Sequence, residues 1–307
     1  MRTATTPMTF MNDLNIYQPR ISPRVSYPTV RGLRHRLFEW GDREAEPVFY
    51  LHGWGDTAAT FQLVVDAFKS GRRVIAYDWR GFGETDRSGP LYWFPEYLAD
   101  LEAMLAAHSP DRPVTLIGHS MGANVAALYA GARSDRVRAF INLEGFGLPD
   151  GEATDVPDHY RRWLDRLASP SRFATYQDFD ELVERIIQRS PRLGLPEARF
   201  VARAWAEEVA PGEIRLKADA DHRLPNAVMY RRAEAEACWR AIRGQVLLVA
   251  GAKTHFRAGI EDWFHEDPAE RPFPGAELTV IEECGHMMHF EAPAAVAGII
   301  EEFLDDL

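Results

Sequence analysis

Apolar residues along this chain follow two alternating patterns. Short unbroken runs, PVFYLHG (47–53), RRVIAYD (72–78), VTLIGHS (114–120) and VRAFINLEG (137–145), read as buried strands. Between them, TAATFQLVVDAFKS (57–70), FPEYLADLEAMLAAH (94–108) and MGANVAALYAGARS (121–134) carry apolar residues at helical spacing. Strands that are apolar throughout must be covered on both faces, as in a parallel sheet flanked by helices. The alternation stops after Gly145. From 148 to 243 the pattern is helical and rich in arginine, as in DHYRRWLDRLA (158–168), DFDELVERIIQRS (178–190) and PEARFVARAWAEEVA (196–210), with no convincing strand. QVLLVAG (245–251) and ELTVIEECGH (277–286) resume the strand pattern, and APAAVAGIIEEFL (292–304) closes as a helix. The expected fold class is therefore α/β. A core domain with a mostly parallel sheet covers 31–147 and 244–307, a helical insertion covers 148–243, and a polar, Pro-containing arm covers 1–30.

Composition narrows the partners. Of 307 residues, 46% are hydrophobic, enough to bury a substantial core. A net charge of −11 without any Lys/Arg block excludes a polyanion-binding surface, so no nucleic acid is expected. Two cysteines, Cys238 and Cys284, are too few for a disulfide framework and fit a reducing compartment. The first twenty residues contain no apolar signal-peptide core, and no apolar run approaches the roughly 20 residues that span a bilayer. The expectation is a soluble, cytoplasmic protein with no membrane span.

The strongest chemical signal is LIGHSMGANVA, where Gly118, Ser120 and Gly122 form G-x-S-x-G between a strand and a helix. A sharp turn there excludes Cβ atoms at the flanking positions and lifts the Ser120 hydroxyl above the sheet. A serine hydroxyl needs a base. His286, directly after the last strand, is the candidate, with His289 one helical turn further on as competitor. The loop in YLHGWGD (50–56) can turn a backbone N–H towards an oxyanion, so Trp54 and Met121 are the candidate oxyanion-hole donors. His52 is read as a brace for that loop.

HGWGD, YDWRGFGET, GHSMG and GHMMHFEAP, in this order, resemble the α/β-hydrolase superfamily, and in detail its esterase-like members with a helical cap. The resemblance implies a serine-centred triad over roughly 31–145 and 244–307, and makes Asp78 part of a structural turn. Many such relatives carry the triad acid as Asp in a G-x-x-D setting after the next-to-last strand. Here that place reads Gly251-Ala252-Lys253-Thr254, and threonine carries no charge to stabilise an imidazolium. Glu144, at the end of the strand after the nucleophile helix, takes the role instead, as in certain lipases and haloalkane dehalogenases. The rival acids are Asp262 and Glu261, with Glu144 then anchoring the cap.

Ser120, His286 and Glu144 together imply hydrolysis of a small-molecule carboxylic ester through an acyl-enzyme. Other acyl substrates (lactone, amide, carbon–carbon bond hydrolysis, perhydrolysis) and a non-catalytic binder of the same fold are the alternatives. Serine rather than aspartate as nucleophile speaks against epoxide hydrolase and dehalogenase chemistry. HEDP (265–268) and HMMH (286–289) lack a third convergent ligand, so neither metal nor cofactor is expected. Trp54, Phe146, Trp163 and Tyr230 are the candidate substrate-binding residues.

Overall fold

The computed structural model describes residues 15–89, 92–170 and 172–307. The first fourteen residues of the expected arm lie outside the described residues. The rest of the arm docks on the domain: Tyr17 Oη and the Arg20 and Ile21 N–H groups all donate to Asp66. Its strand β1 (Arg24–Ser26) pairs with the sheet edge, followed by a small hairpin of β2 (Thr29–Val30) and β3 (Leu33–Arg34).

The chain then runs through β4 (Leu37–Trp40), β5 (Pro47–Leu51), α1 (Gln62–Val65), β6 (Arg73–Tyr77), α2 (Phe94–His108), β7 (Val114–His119), α3 (Met121–Ala132) and β8 (Val137–Leu143). The insertion follows with α4 (Val156–Ala168), β9 (Thr175–Tyr176), α5 (Phe179–Arg189), α6 (Leu195–Trp205), β10 (Ala206–Ala210) and β11 (Glu213–Leu216). Helix α7 (Arg232–Arg240), β12 (Gln245–Gly251), β13 (Glu277–Ile281), α8 (Met288–Glu291) and α9 (Pro293–Asp305) complete it.

Eight strands form one sheet in the order β1-β4-β6-β5-β7-β8-β12-β13. From β6 to β13 every neighbouring pair is parallel, and β1 and β4 close one edge antiparallel. One face packs Phe49, Ile75, Leu116 and Phe140 with Leu101 of α2, Val125 of α3 and Trp239 of α7. The other packs Tyr50, Val74, Ile117 and Ile141 with Val64 of α1 and Ile300 of α9. The near-continuous burial of β5 to β8 follows from this double cover.

Three local expectations change. The insertion is not purely helical: β10-β11-β9 form a three-stranded antiparallel sheet. AEEVA, read as the tail of a helix, leaves α6 at Ala206 because its backbone pairs with β11. The helix expected over 57–70 shrinks to a 3-10 turn and the single turn of α1, with Thr60 Oγ1 bonded back to Asp56. Helix α7, grouped by sequence with the insertion, lies on α3: a Cβ on Gly131 would collide with the Cys238 backbone. The insertion's own apolar cluster (Leu182, Val183, Ile186, Ala198, Val201, Ile214) is joined to the core by Leu63 and Phe290.

Candidate active site

Strand β7 ends at His119 and α3 begins at Met121, so Ser120 alone makes the turn. Its backbone sits at φ 51, ψ −116, a left-handed region that costs a non-glycine residue about 1–3 kcal/mol. Hydrogen bonds on both sides hold it: Ser120 N–H donates to Leu143 O at 2.9 Å, and Asn124 N–H donates to Ser120 O at 3.0 Å. Gly118 and Gly122 are required by space, since a Cβ at either would strike the backbone of Ala123 or of Leu51. The HG loop packs directly against the turn, and a Cβ on Gly53 would lie 3.2 Å from Ser120 Cβ.

Glu144 leaves β8 with a left-handed backbone (φ 54) and a wholly buried side chain. Its Oε1 accepts the Gly251 N–H at 2.7 Å, and its Oε2 accepts the Thr254 hydroxyl at 2.8 Å. The same Oε2 lies 2.7 Å from His286 Nδ1. A buried carboxylate with three donors is hydrogen-bonded as burial demands. With Nδ1–H directed at the carboxylate, the neutral imidazole of His286 carries its lone pair on Nε2. His286 is also tethered through its backbone: His119, next to Ser120, donates Nε2–H to the His286 carbonyl at 2.9 Å.

The competing groups are engaged elsewhere. His289 pairs through Nε2 with Asp56 Oδ2 at 2.9 Å. Asp56 also accepts Thr60 Oγ1–H at 2.9 Å and, from the insertion, Trp205 Nε1–H at 2.6 Å. Burial pushes the Asp56 carboxyl up, but its bond to His289 and the charge on that ring outweigh burial and hold it below the usual range. Burial, then the charges of His289 and His286, push His119 well down, so it stays neutral. Ligand-capable atoms of Asp56, His119 and His289 lie within 4.8 Å of one another, the grouping that could hold a metal among the described residues. Both Asp56 oxygens are already bonded within the protein, whereas the buried Nδ1 atoms of His119 and His289 have no hydrogen-bond partner among the described residues.

Asp262 faces Arg232 at 3.8 Å with its side chain 71% exposed, and Glu261 is likewise on the surface. His52 donates Nδ1–H to Gly53 O at 2.8 Å and accepts the Trp79 N–H at 2.9 Å, bracing the HG loop. Asp78, raised by burial, accepts the Ala58 and Glu84 N–H groups and ties two loops together.

Of the expected substrate-binding residues, Phe146 lies nearest the histidine, with ring centroids 6.4 Å apart. Trp54 is half exposed, its ring 6.0 Å from Phe173 of the insertion and 6.4 Å from Phe82. Tyr230 packs 5.9 Å from Phe94, its hydroxyl beside Gly147 at the exit from β8. Trp163 is on α4 and makes no ring contact with these residues among the described residues. Sequence reasoning missed His119, Asp56 and Phe256, whose ring is 4.6 Å from His286, and considered Thr254 only as a poor substitute for the acid. The signal for His119 was its place in GHS, where a buried histidine needs a partner.

Residues 48–299 match the alpha/beta hydrolase family. A serine hydrolase-like protein of Danio rerio is 26% identical over 274 residues, 86% of this chain and 83% of that protein. The 2-hydroxymuconate semialdehyde hydrolase of Pseudomonas sp. (strain CF600) is 26% identical over 304 residues, 93% and 96% of the two chains. Among solved structures, a thioesterase domain from the curacin biosynthetic pathway superposes with a TM-score of 0.77 at 25% identity, covering 91% of this chain and 99% of that one.

Proposed function

The chain belongs to the alpha/beta hydrolase family and is a hydrolase; on that premise we propose that it cleaves carboxylic esters through an acyl-enzyme. Ser120 is the nucleophile, His286 the base and Glu144 the acid. The observation that carries this reading is the buried Glu144–His286 pair at 2.7 Å, joined through His119 to the strained turn that presents Ser120.

In this mechanism Ser120 Oγ attacks the acyl carbon while His286 Nε2 takes its proton. Glu144 stabilises the imidazolium formed at that moment. The oxyanion meets the backbone N–H groups of Trp54 and Met121; Met121 opens α3, where the N–H has no intrahelical acceptor. His286 then returns its proton to the leaving alkoxide, and a water repeats the sequence in reverse to free the acid and Ser120. Trp54, Phe146 and Tyr230 line the acyl side of the site beneath the insertion, which favours an apolar acyl group. Cys238 and Cys284 are free thiols, which fits a reducing, cytoplasmic setting. No helix among the described residues is long and apolar enough to cross a membrane.

The test is labelling by a fluorophosphonate, with one probe bound per chain at Ser120 and none in Ser120→Ala. A panel of p-nitrophenyl esters, thioesters, lactones and amides then ranks substrates. The relative that hydrolyses 2-hydroxymuconate semialdehyde, aligned over 93% of this chain, favours carbon–carbon bond hydrolysis as the second reading. Efficient turnover of such a substrate beside slow turnover of every ester would replace the first reading by the second.

A further inference from the structure

Thr254 stands in the loop after β12, where a carboxylate was expected, and its side chain is nevertheless directed at the acid. It is 8% exposed. Its hydroxyl donates to Glu144 Oε2 at 2.8 Å, the oxygen that also faces His286 Nδ1 at 2.7 Å. The same Oγ1 accepts the Phe256 N–H at 3.2 Å, and the Phe256 ring packs 4.6 Å from the His286 ring. One hydroxyl therefore touches both the carboxylate below the imidazole and the turn that presents an aromatic wall beside it.

We propose that Thr254 is a positioning residue for the Glu144–His286 pair. The proposal rests on the reading of those two residues as acid and base. The terminal torsion of a glutamate is broad and roughly two-fold, so a single donor leaves the carboxylate plane free to swing. Gly251 N–H on Oε1 and Thr254 Oγ1–H on Oε2 hold both oxygens and aim Oε2 at Nδ1.

The experiment compares Thr254→Val, which keeps the shape and deletes the hydroxyl, with Thr254→Ser, which keeps the hydroxyl. Thr254→Val is expected to lose about 10–100-fold in kcat at unchanged KM, the scale of one hydrogen bond to a charged group. A carboxylate free to swing stabilises the imidazolium less, so the acid limb of its kcat/KM profile should move to lower pH, which a purely structural loss does not produce. Thr254→Ser should stay near wild type in both. Thr254→Ala repeats the test with a smaller side chain if valine impairs folding. Equal kcat and an unmoved acid limb in the valine and alanine variants, in an enzyme silenced by Glu144→Gln, overturn the Thr254 assignment alone. So does a serine variant as damaged as valine. A wild type indifferent to Glu144→Gln overturns the underlying reading, and the role of Thr254 with it.

Discussion

The exits of β7 and β8 and helix α4 of the insertion stand at opposite ends of a scale of constraint. At the exits, Ser120 and Glu144 both adopt left-handed backbone, at φ 51 and 54. Glycines flank them where any Cβ would strike neighbouring atoms, as at Gly145 against the Ala123 side chain. In α4 no residue is buried, although Val156, Tyr160, Trp163, Leu164 and Leu167 share one face. Tyr160 and Leu164 are 47% and 56% exposed. Strained backbone persists only where its surroundings over-determine it, and the edge of a doubly covered sheet provides that. A helix with few buried contacts opens and shifts at little cost. Backbone strain is thus carried by the covered sheet edge, and exposed apolar surface by the helix of the insertion.

The comparison can be broken most severely at the acid. Glu144→Gln keeps size and burial but loses the charge, and turnover should fall by about 10⁴-fold, as when a triad carboxylate becomes an amide. Thermal melting should show the protein still folded; near-normal turnover would detach catalysis from the strained edge. Next in size is His289→Ala. It strips Asp56 of a partner in a wholly buried pair, and urea unfolding should register a loss of about 3–5 kcal/mol. A loss below about 1 kcal/mol would mean the network under the edge is slack.

Acid provides a third test. His222 links the insertion to the core, stacked between Phe82 (3.7 Å) and Tyr92 (3.8 Å). Burial, opposed by the charge of Asp219, pushes its pKa down to about 3. Below about pH 6.5 the unfolded chain binds a proton that the folded chain refuses until near pH 3, so stability falls as pH falls through that window. The loss is up to about 1.4 kcal/mol per pH unit for this group. His35, His52 and His119, also lowered by burial, add to it in the same direction. Urea midpoints at pH 7.5 and 5.5 measure the sum, and His222→Asn should flatten the slope. The smallest effect belongs to α4: Leu164→Ser should change stability by less than about 0.5 kcal/mol while altering KM for long acyl esters. A large drop in melting temperature would show that α4 is as constrained as the strand exits.

Much of this was legible from local spacing. G-x-S-x-G between a buried run and a helical one marks Ser120, because the turn admits only glycine beside it. Glu144 stood out as a charge closing an apolar strand. The strands of the insertion were illegible because FVARAWAEEVA keeps helical spacing through Val209, and only pairing with β11 turns its second half into β10. The contact of Thr254 with Glu144 was illegible because what a hydroxyl touches is set by the fold.

By itself, the order of apolar runs determined the α/β class, and short motifs determined which residue types stand at the strand ends. Those properties depend on neighbours within a few residues. Which histidine meets which carboxylate was left to the tertiary structure. His286 and Glu144 are 142 residues apart in the chain, and His289 and Asp56 are 233 apart. The sheet order sets β12 between β8 and β13, which brings the Thr254 loop and the His286 loop over Glu144. Such long-range pairings are fixed by burial and strand register, which satisfy each buried charge with a partner that local sequence cannot identify.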